Sequence, residues 1–152
     1  MIDIQTENTS RTVLLATFFV GEALCALEAT EVQEVIRVES FTPVRHAPAE
    51  VLGVMNLRGK IVTVLDPAII LGLGKSVITH ESRVFIVEDR NEFLGILVDK
   101  AGEVFEVEPG QAASLPINIP AAQSRFFQRV CRTGGHVIAV LNSAEILNEI
   151  RL

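Results

Sequence analysis

The side chain best suited to binding chemistry is that of Arg58, within the stretch VMNLRGKIVTVLD (54–66), which is otherwise almost wholly apolar. A guanidinium can hold carboxylates or backbone carbonyls while its aliphatic stem packs on apolar surface. The residue types allow two interpretations of this position. In a type II turn only Gly59 would need a positive φ, and Arg58 would be a free surface residue. Alternatively, Arg58 is placed to contact a partner or to tie two lobes together.

The other polar residues give little support for catalysis. Their spacing matches no zinc site, no nucleophile elbow and no glycine-rich phosphate loop. The two cysteines lie in apolar segments, which is typical of buried side chains rather than a disulfide or a metal pair. We therefore predict a protein that is not an enzyme and that uses no cofactor and no metal. The candidates considered were Cys25, His46, Asp66, His80, Asp99, Cys131 and His136.

The composition indicates one globular domain. The chain has 152 residues, of which 49% are hydrophobic and 21% charged, and its formal net charge is -6. This charge, with no Tyr or Trp, argues against nucleic acid as a partner. No apolar run is long enough to span a bilayer, and the start MIDIQTENTS lacks the features of a signal peptide. We predict a cytoplasmic protein with a flexible N-terminus at 1–11.

The elements that must position Arg58 are mostly strands. Runs rich in Val, Ile, Leu and Phe alternate with short turn signals, which predicts a mainly β fold. Only single turns and the last ten residues, 143–152, look helical. The predicted strands are TVLLATFFV, ALCAL, TEVQEVIRV, GKIVTVL, RVFIVE, EFLGILVD, EVFEVE, FFQRVCR and HVIAVL.

An internal repeat divides the chain. The segment 54–71 aligns with 130–147, so that Arg58 meets Gly134 and Asp66 meets Asn142. Each copy predicts a hairpin followed by a capped helical turn, with an Asn-x-x-Glu capping box in the second copy. EVIRVE likewise resembles EVFEVE. We expect two tandem lobes, at about 13–83 and 84–142, with possible strand exchange between them.

At these residues the sequence resembles a known family. GVMNLRGKIVTVLDPAIILGLG is similar to the signature of the CheW-like chemotaxis coupling proteins, and the resemblance extends through TEVQEVI, HAPAEVLG and LGILVDKAGEVFEVE. It implies two small SH3-like β-barrel lobes. It also implies a non-catalytic adaptor between the cytoplasmic tip of methyl-accepting chemoreceptors and the regulatory domain of a CheA-type histidine kinase. Such a protein would join membrane-bound receptor arrays through protein contacts, without inserting into the membrane.

The resemblance assigns roles to particular positions. Contacts with the kinase are expected at Val32, Glu34 and Ile36. Receptor binding or coupling is expected at Gly53, Asn56, Arg58, Gly95 and Val104. Structural turn roles are expected at Gly59 and Gly135. The chain departs from the family pattern at Arg129, where a glycine is usual, and at Asn142, where Asp is usual.

Two other functions remain open on the sequence. A small-molecule-binding β-barrel module would fit the repeat and the apolar content, but it needs a lumen with convergent polar groups. The inward positions here look like close-packed Val, Ile and Leu. A CheW-like adaptor of a non-flagellar chemosensory pathway is the second alternative.

Overall fold

The predicted mainly β class is confirmed. The computed structural model describes residues 12–108 and 121–150, and within these stretches the chain forms ten strands and two short α-helices. The strands are β1 (Val13–Val20), β2 (Ala23–Glu28), β3 (Val32–Arg37), β4 (Val51–Leu57), β5 (Lys60–Leu65), β6 (Arg83–Asp89), β7 (Glu92–Val98), β8 (Lys100–Val107), β9 (Phe127–Thr133) and β10 (His136–Leu141). The helices are α1 (Pro67–Ile70) and α2 (Ser143–Ile150), and 3-10 turns cover Ala29–Glu31 and Ala121–Phe126.

The strands form two five-stranded sheets. The terminal sheet has the order β8-β1-β2-β10-β9, and the middle sheet has the order β3-β6-β7-β5-β4. Over the described residues no pairing joins the two end strands of either sheet, so the lobes are open sheets rather than closed barrels. The two orders correspond strand for strand. EVIRVE and EVFEVE accordingly fall on β3 and β8, which occupy equivalent edges.

The sheets divide the chain differently from the approximate lobe boundary at 83/84, for which we had allowed strand exchange between the lobes. The middle sheet takes all its strands from 32–98, and the boundary at 83/84 falls inside β6. The terminal sheet combines β1 and β2 with β8, β9 and β10. In each sheet the repeated hairpin unit is joined to a second hairpin by a parallel strand pair. β7 pairs with β5 in the middle sheet, and β2 pairs with β10 in the terminal sheet. The repeated segments 54–71 and 130–147 do not indicate which hairpin will pair with them, because that pairing depends on tertiary packing.

Both faces of each sheet are largely apolar. One face of each sheet contributes to a shared interlobe core, in which Phe18 and Leu27 of the terminal sheet pack with Phe85 and Ile96 of the middle sheet. The opposite faces enclose separate clusters, one around Ile138 and one around Val62, Val64 and Ile86. Burial on two faces explains why strands such as HVIAVL are continuously apolar rather than alternating.

The two predicted helix caps are formed, but by different means. The Asp66 side chain accepts hydrogen bonds from the Ala68 N–H (3.0 Å) and from the N–H and hydroxyl of Ser76 (2.9 and 2.7 Å), although Asp66 is fully buried. Asn142 Oδ1 accepts from the Glu145 N–H at 3.2 Å. The backbone N–H of Asn142 donates instead to the Phe126 carbonyl, so no reciprocal capping box closes there.

Two expectations fall partly or wholly outside the described residues. The flexible N-terminus at 1–11 lies outside them. The predicted C-terminal helix at 143–152 corresponds to α2 (Ser143–Ile150), and its last two residues also lie outside.

Candidate functional site

Arg58 occupies the tip of the β4–β5 hairpin in a left-handed backbone conformation. Leu57 pairs with Lys60, and the two residues between them have φ of 51° (Arg58) and 88° (Gly59). A positive φ at both central positions defines a type I′ turn, so the type II alternative is wrong. A non-glycine residue in this conformation costs about 1 kcal/mol. Folding alone would therefore favour glycine at position 58.

The equivalent hairpin of the terminal sheet uses glycine at both places. Gly134 and Gly135 have φ of 56° and 81°, which is the same turn geometry without the steric cost. In the β4–β5 hairpin the turn is held by Asn56, whose side-chain oxygen accepts from the Gly59 N–H at 2.8 Å. The aligned residue in the other copy is Arg132. Asn56 is thus placed to fix the strained tip rather than to face a partner by itself.

Arg58 forms an ion pair with Glu34 at the start of β3. The Arg58 side chain is 69% exposed and that of Glu34 33% exposed. β3 and β4 are the two edges of the middle sheet, so the pair links the open edges of the curled sheet. Sequence reasoning had placed these two residues in separate functional groups, and the structure brings them together on one surface.

A shallow cavity of about 240 Å³ adjoins this ion pair. Its lining includes Glu34, Arg58 and Lys60, with Phe93 below them. The Lys60 ammonium lies 4.3 Å from the centre of the Phe93 ring, a cation–π contact. The exposed end of the middle sheet thus presents mixed charges around a small apolar floor, which suits a protein surface better than a small ligand.

Gly53 is confined by backbone rather than exposed to a partner. Its φ is 156°, and a Cβ built on it would meet the Thr42 carbonyl group and come within 3.1 Å of the Pro43 nitrogen. Thr42 and Val54 exchange two backbone hydrogen bonds of 2.8 Å across this approach. Any effect of Gly53 on partner binding would therefore act through the position of β4.

The predicted contacts on β3 differ in exposure. Val32 packs against the interlobe core and Ile36 against the cluster inside the middle sheet, so both are half-buried. Val35, which sequence reasoning missed, is 44% exposed. Exposure alternates regularly along β3, with Val32, Glu34 and Ile36 half-buried, and the bulge in its pairing with β6 does not change this alternation. Alternation alone does not say which of the two faces of the strand the fold covers, so Val35 was not predicted to face outwards.

Gly95 and Val104 lie on different sheets. Gly95 is buried on β7 in the middle sheet, where an added Cβ would meet Val84 Cγ1 at 2.8 Å, so it cannot touch a partner directly. Val104 on β8 is 62% exposed and lies opposite Ala16 of β1. Leu14, two residues before Ala16 on the same face, is 51% exposed.

This exposed apolar face of β1 and β8 is continuous with the interlobe core. Ala16 packs against that core, and residues two apart on a strand share a face. Leu14 and Val104 therefore extend the apolar surface of the core to solvent at the edge of the terminal sheet. Sequence reasoning missed Leu14 because polar and apolar residues do not alternate along VLLATFFV. The sequence therefore does not show which face of this strand is exposed.

A second group of charges lies where β2 passes into β3. Arg129 Nη2 lies 3.4 Å from a carboxylate oxygen of Glu28, and the Ser143 hydroxyl donates to Glu31 at 2.9 Å. Burial raises the pKa of Glu31, and the nearby carboxylates of Glu28 and Asp89 raise it further, against the opposing effect of the Ser143 hydrogen bond. Arg129, where the family pattern has glycine, thus helps to neutralise an acidic junction between the sheets.

The raised pKa of Glu31 predicts a pH dependence of stability. The folded state binds this proton more tightly than the unfolded chain, so the contribution is fully present below the ordinary value of 4.5 and is lost as pH rises through the folded pKa. Glu31→Gln stays neutral, so we expect its Tm to exceed that of the unmodified protein at about pH 8 and the difference to shrink towards about pH 4. Thermal melts at both pH values measure this, with the exposed residue in Glu39→Gln as control. A Tm difference that does not change with pH would contradict the assignment.

The residues considered for catalysis are dispersed. Burial raises the pKa of the Cys25 thiol to about 12, which leaves it unreactive at neutral pH. Asp99 accepts a hydrogen bond from the Gly21 N–H at 2.7 Å and so has a turn role. His46, His80 and His136 are all exposed. Within 12–108 and 121–150, no three His, Cys, Asp or Glu residues form a group that could hold a metal ion.

None of the helices in the described part of the chain has the length and apolar character needed to cross a bilayer.

Comparisons with known proteins agree with this architecture. The family model of the CheW-like domain matches residues 15–151. The chemotaxis protein CheW of Rhizobium meliloti (strain 1021) is 27% identical over 127 residues, covering 84% of this chain and 82% of that protein. Protein FrzA of Myxococcus xanthus is 25% identical over 135 residues, covering 88% and 84%.

A solved structure is similar over nearly the same extent. The crystal structure of the scaffolding protein TtCheW from Thermoanaerobacter tengcongensis matches with a TM-score of 0.77 and 28% sequence identity, covering 87% of this chain and 85% of that one. Since the family model also spans most of the sequence, the chain belongs to the CheW-like domain family.

Proposed function

We propose that this protein is a non-catalytic chemotaxis adaptor that couples the cytoplasmic tips of chemoreceptors to the regulatory domain of a CheA-type histidine kinase. Family membership supports the proposal, and one structural observation carries it. The chain has two exposed surfaces of different chemistry, one on each sheet. An adaptor needs two such surfaces, whereas an enzyme or a ligand-binding module needs one enclosed site.

The kinase surface is assigned to the hairpin end of the middle sheet. It comprises the Glu34–Arg58 pair with the neighbouring part of β3, including the half-buried Val32 and the exposed Val35. Ile36 faces the interior and would act through the position of the strand. The Arg58 guanidinium is already oriented by the Glu34 carboxylate. It can therefore bind a group on a second protein, with or without releasing Glu34, at little conformational cost.

The receptor surface is assigned to the exposed apolar face of β1 and β8. Leu14 and Val104 are apolar side chains exposed by more than half at the edge of the interlobe core. An amphipathic helix binds such a groove through apolar anchors spaced along one face. The family resemblance leads us to expect a helical receptor tip as the partner, and this face suits a helix better than the charged hairpin end does.

The mechanism of coupling is thermodynamic. By binding receptor and kinase together, the adaptor raises the effective concentration of each near the other. It transmits a signal only if its affinity differs between two states of the kinase, because a ligand with equal affinity for both states shifts no equilibrium. The protein would then act in the cytoplasm, held at receptor arrays through protein contacts alone.

Charge substitution on the apolar face tests this assignment. Val104→Glu places a carboxylate at an exposed position and should lower the affinity for a soluble receptor fragment by about tenfold, while kinase affinity stays unchanged. The measurement is titration of the purified protein with the receptor fragment, with the kinase and with both, recording kinase autophosphorylation. The matched control is Val77→Glu, because Val77 is also exposed but lies outside this face.

Three outcomes separate the alternatives. Binding of the unmodified protein to both partners at micromolar concentrations, with kinase output altered only in the ternary mixture, would support the adaptor role. No binding of either partner by a folded sample would contradict it and favour a ligand-binding module. Binding to partners of another chemosensory system would favour a non-flagellar pathway, in line with the similarity to FrzA.

A further inference from the structure

A second hairpin of the middle sheet has the same strained tip as the Arg58 hairpin. In the β6–β7 hairpin Asp89 pairs with Glu92, and the two residues between them, Arg90 and Asn91, have φ of 53° and 68°. This is again a type I′ turn, here without any glycine. Asparagine tolerates a left-handed conformation, but arginine does not favour it. The sequence thus keeps an arginine at a second place where glycine or asparagine would fold more easily.

The two tips lie side by side at one end of the sheet. β5 and β7 are parallel neighbours, with Val62 paired to Phe93, so the turns that precede them emerge at the same end. Each hairpin is two strands wide and neighbouring strands lie about 4.8 Å apart, so the midlines of the two hairpins are separated by roughly 10 Å. Arg58 and Arg90 are therefore close enough for one protein surface to meet both.

Within the described residues, the Arg90 side chain has no structural role that its contacts reveal. It is exposed, and in 12–108 and 121–150 it makes no ion pair or side-chain hydrogen bond, whereas Arg58 is paired with Glu34. Backbone strain that folding does not require is a signal of function when it recurs at one surface. The residue that recurs at the two strained positions is arginine, and the unpaired guanidinium of Arg90 is suited to binding a carboxylate.

We infer that Arg90 is a second partner-contacting arginine, which binds a carboxylate on the surface of the same kinase domain that meets the Glu34–Arg58 pair. The inference rests on the proposed function, because it takes the kinase as the partner at this end of the sheet. The net charge of the chain is -6, so an acidic group on a partner is attracted only where a cation is locally exposed. A free arginine beside the paired Arg58 supplies that local complementarity.

The test compares Arg90→Gly with the unmodified protein in thermal stability and in kinase affinity. Glycine relieves the left-handed strain, so we expect Tm to rise by about 2 to 4 °C. Affinity for the purified CheA-type kinase should fall about tenfold, while affinity for the receptor fragment stays unchanged. Arg90→Lys keeps the charge but loses the planar fork, and it should recover only a small part of the affinity.

The matched control is Arg132→Gln, which removes an exposed arginine next to the β9–β10 hairpin of the terminal sheet and should leave kinase affinity unchanged. Kinase binding as tight for Arg90→Gly as for the unmodified protein would overturn the inference and leave the proposed function standing. A lower Tm for Arg90→Gly would assign Arg90 to folding and overturn it too. Failure of the unmodified protein to bind the kinase would overturn the proposed function, and the inference with it.

Discussion

Arg58→Gly is expected to lower kinase affinity by about 30-fold, the equivalent of about 2 kcal/mol, while leaving the fold intact. The binding loss follows from removing the exposed guanidinium and leaving Glu34 without its partner at the same surface. Receptor-dependent control of the kinase should fall with it. Autophosphorylation measured in the ternary mixture, beside calorimetric titration of the kinase alone, records both effects.

The stability of Arg58→Gly should differ little from that of the unmodified protein. Relief of the left-handed conformation contributes about 1 kcal/mol, and loss of an exposed ion pair removes at most about the same amount. Arg58→Ala loses the pair but keeps a side chain at φ of 51°, so it should be the less stable of the two variants and equally defective in coupling. Both should remain folded.

Two controls separate binding from folding at this hairpin. Gly134→Ala introduces the same left-handed strain in the terminal sheet, and it should lower Tm without changing kinase affinity. Arg37→Gln removes another exposed side chain of β3 at the far end of the strand, and it should change neither. Unfolding of Arg58→Gly would show that Arg58 is structural and would end its assignment as a contact.

Gly53→Ala is expected to destabilise the fold by about 3 kcal/mol, which lowers Tm by about 6 to 12 °C. The added Cβ would collide with the Thr42 carbonyl group, which is held by two hydrogen bonds between Thr42 and Val54 and so cannot move away freely. The φ of 156° disfavours any L-residue there as well. Thermal and chemical denaturation of the purified variant measure the loss.

Gly21→Ala is the control for this variant. Gly21 also has a positive φ, 61°, but a Cβ built on it meets nothing within 4 Å. The difference between the two variants therefore reports the contact with Thr42 together with the larger backbone cost at φ of 156° than at 61°. If the variants lose the same stability, the close approach of Thr42 contributes nothing. Partner affinity lost by a stable Gly53→Ala variant would instead place Gly53 in the interface.

Much of the fold was predictable from local patterns. Strand composition located the strands, and the repeat of 54–71 in 130–147 predicted two similar units. Asp66 and Asn142 were correctly identified as helix caps because capping depends on a few neighbouring residues. The capping box failed because the Asn142 N–H found a distant acceptor, the Phe126 carbonyl.

The sequence named the candidate site residues, but it did not give their geometry. The family resemblance pointed to Arg58 in the signature and to Glu34 in TEVQEVI, but it gave no sign that they pair, since 24 residues separate them in the chain. Gly95 was expected near a binding groove and is instead buried against Val84. The exposed side chains of Leu14 and Val35 were missed, because exposure on a strand depends on which face the rest of the fold covers.

The sequence by itself determined the β class, the repeated hairpin units, the helix caps and the family, because these follow from local composition, spacing and motif. Only the tertiary structure decided that β1 and β2 lie between β8 and β10 in one sheet, and that Arg58 takes the left-handed conformation that Gly134 takes in the other sheet. It also decided that Arg58 and Arg90 emerge side by side. These are consequences of long-range pairing, in which packing of whole sheets outweighs the roughly 1 kcal/mol preference of any single residue.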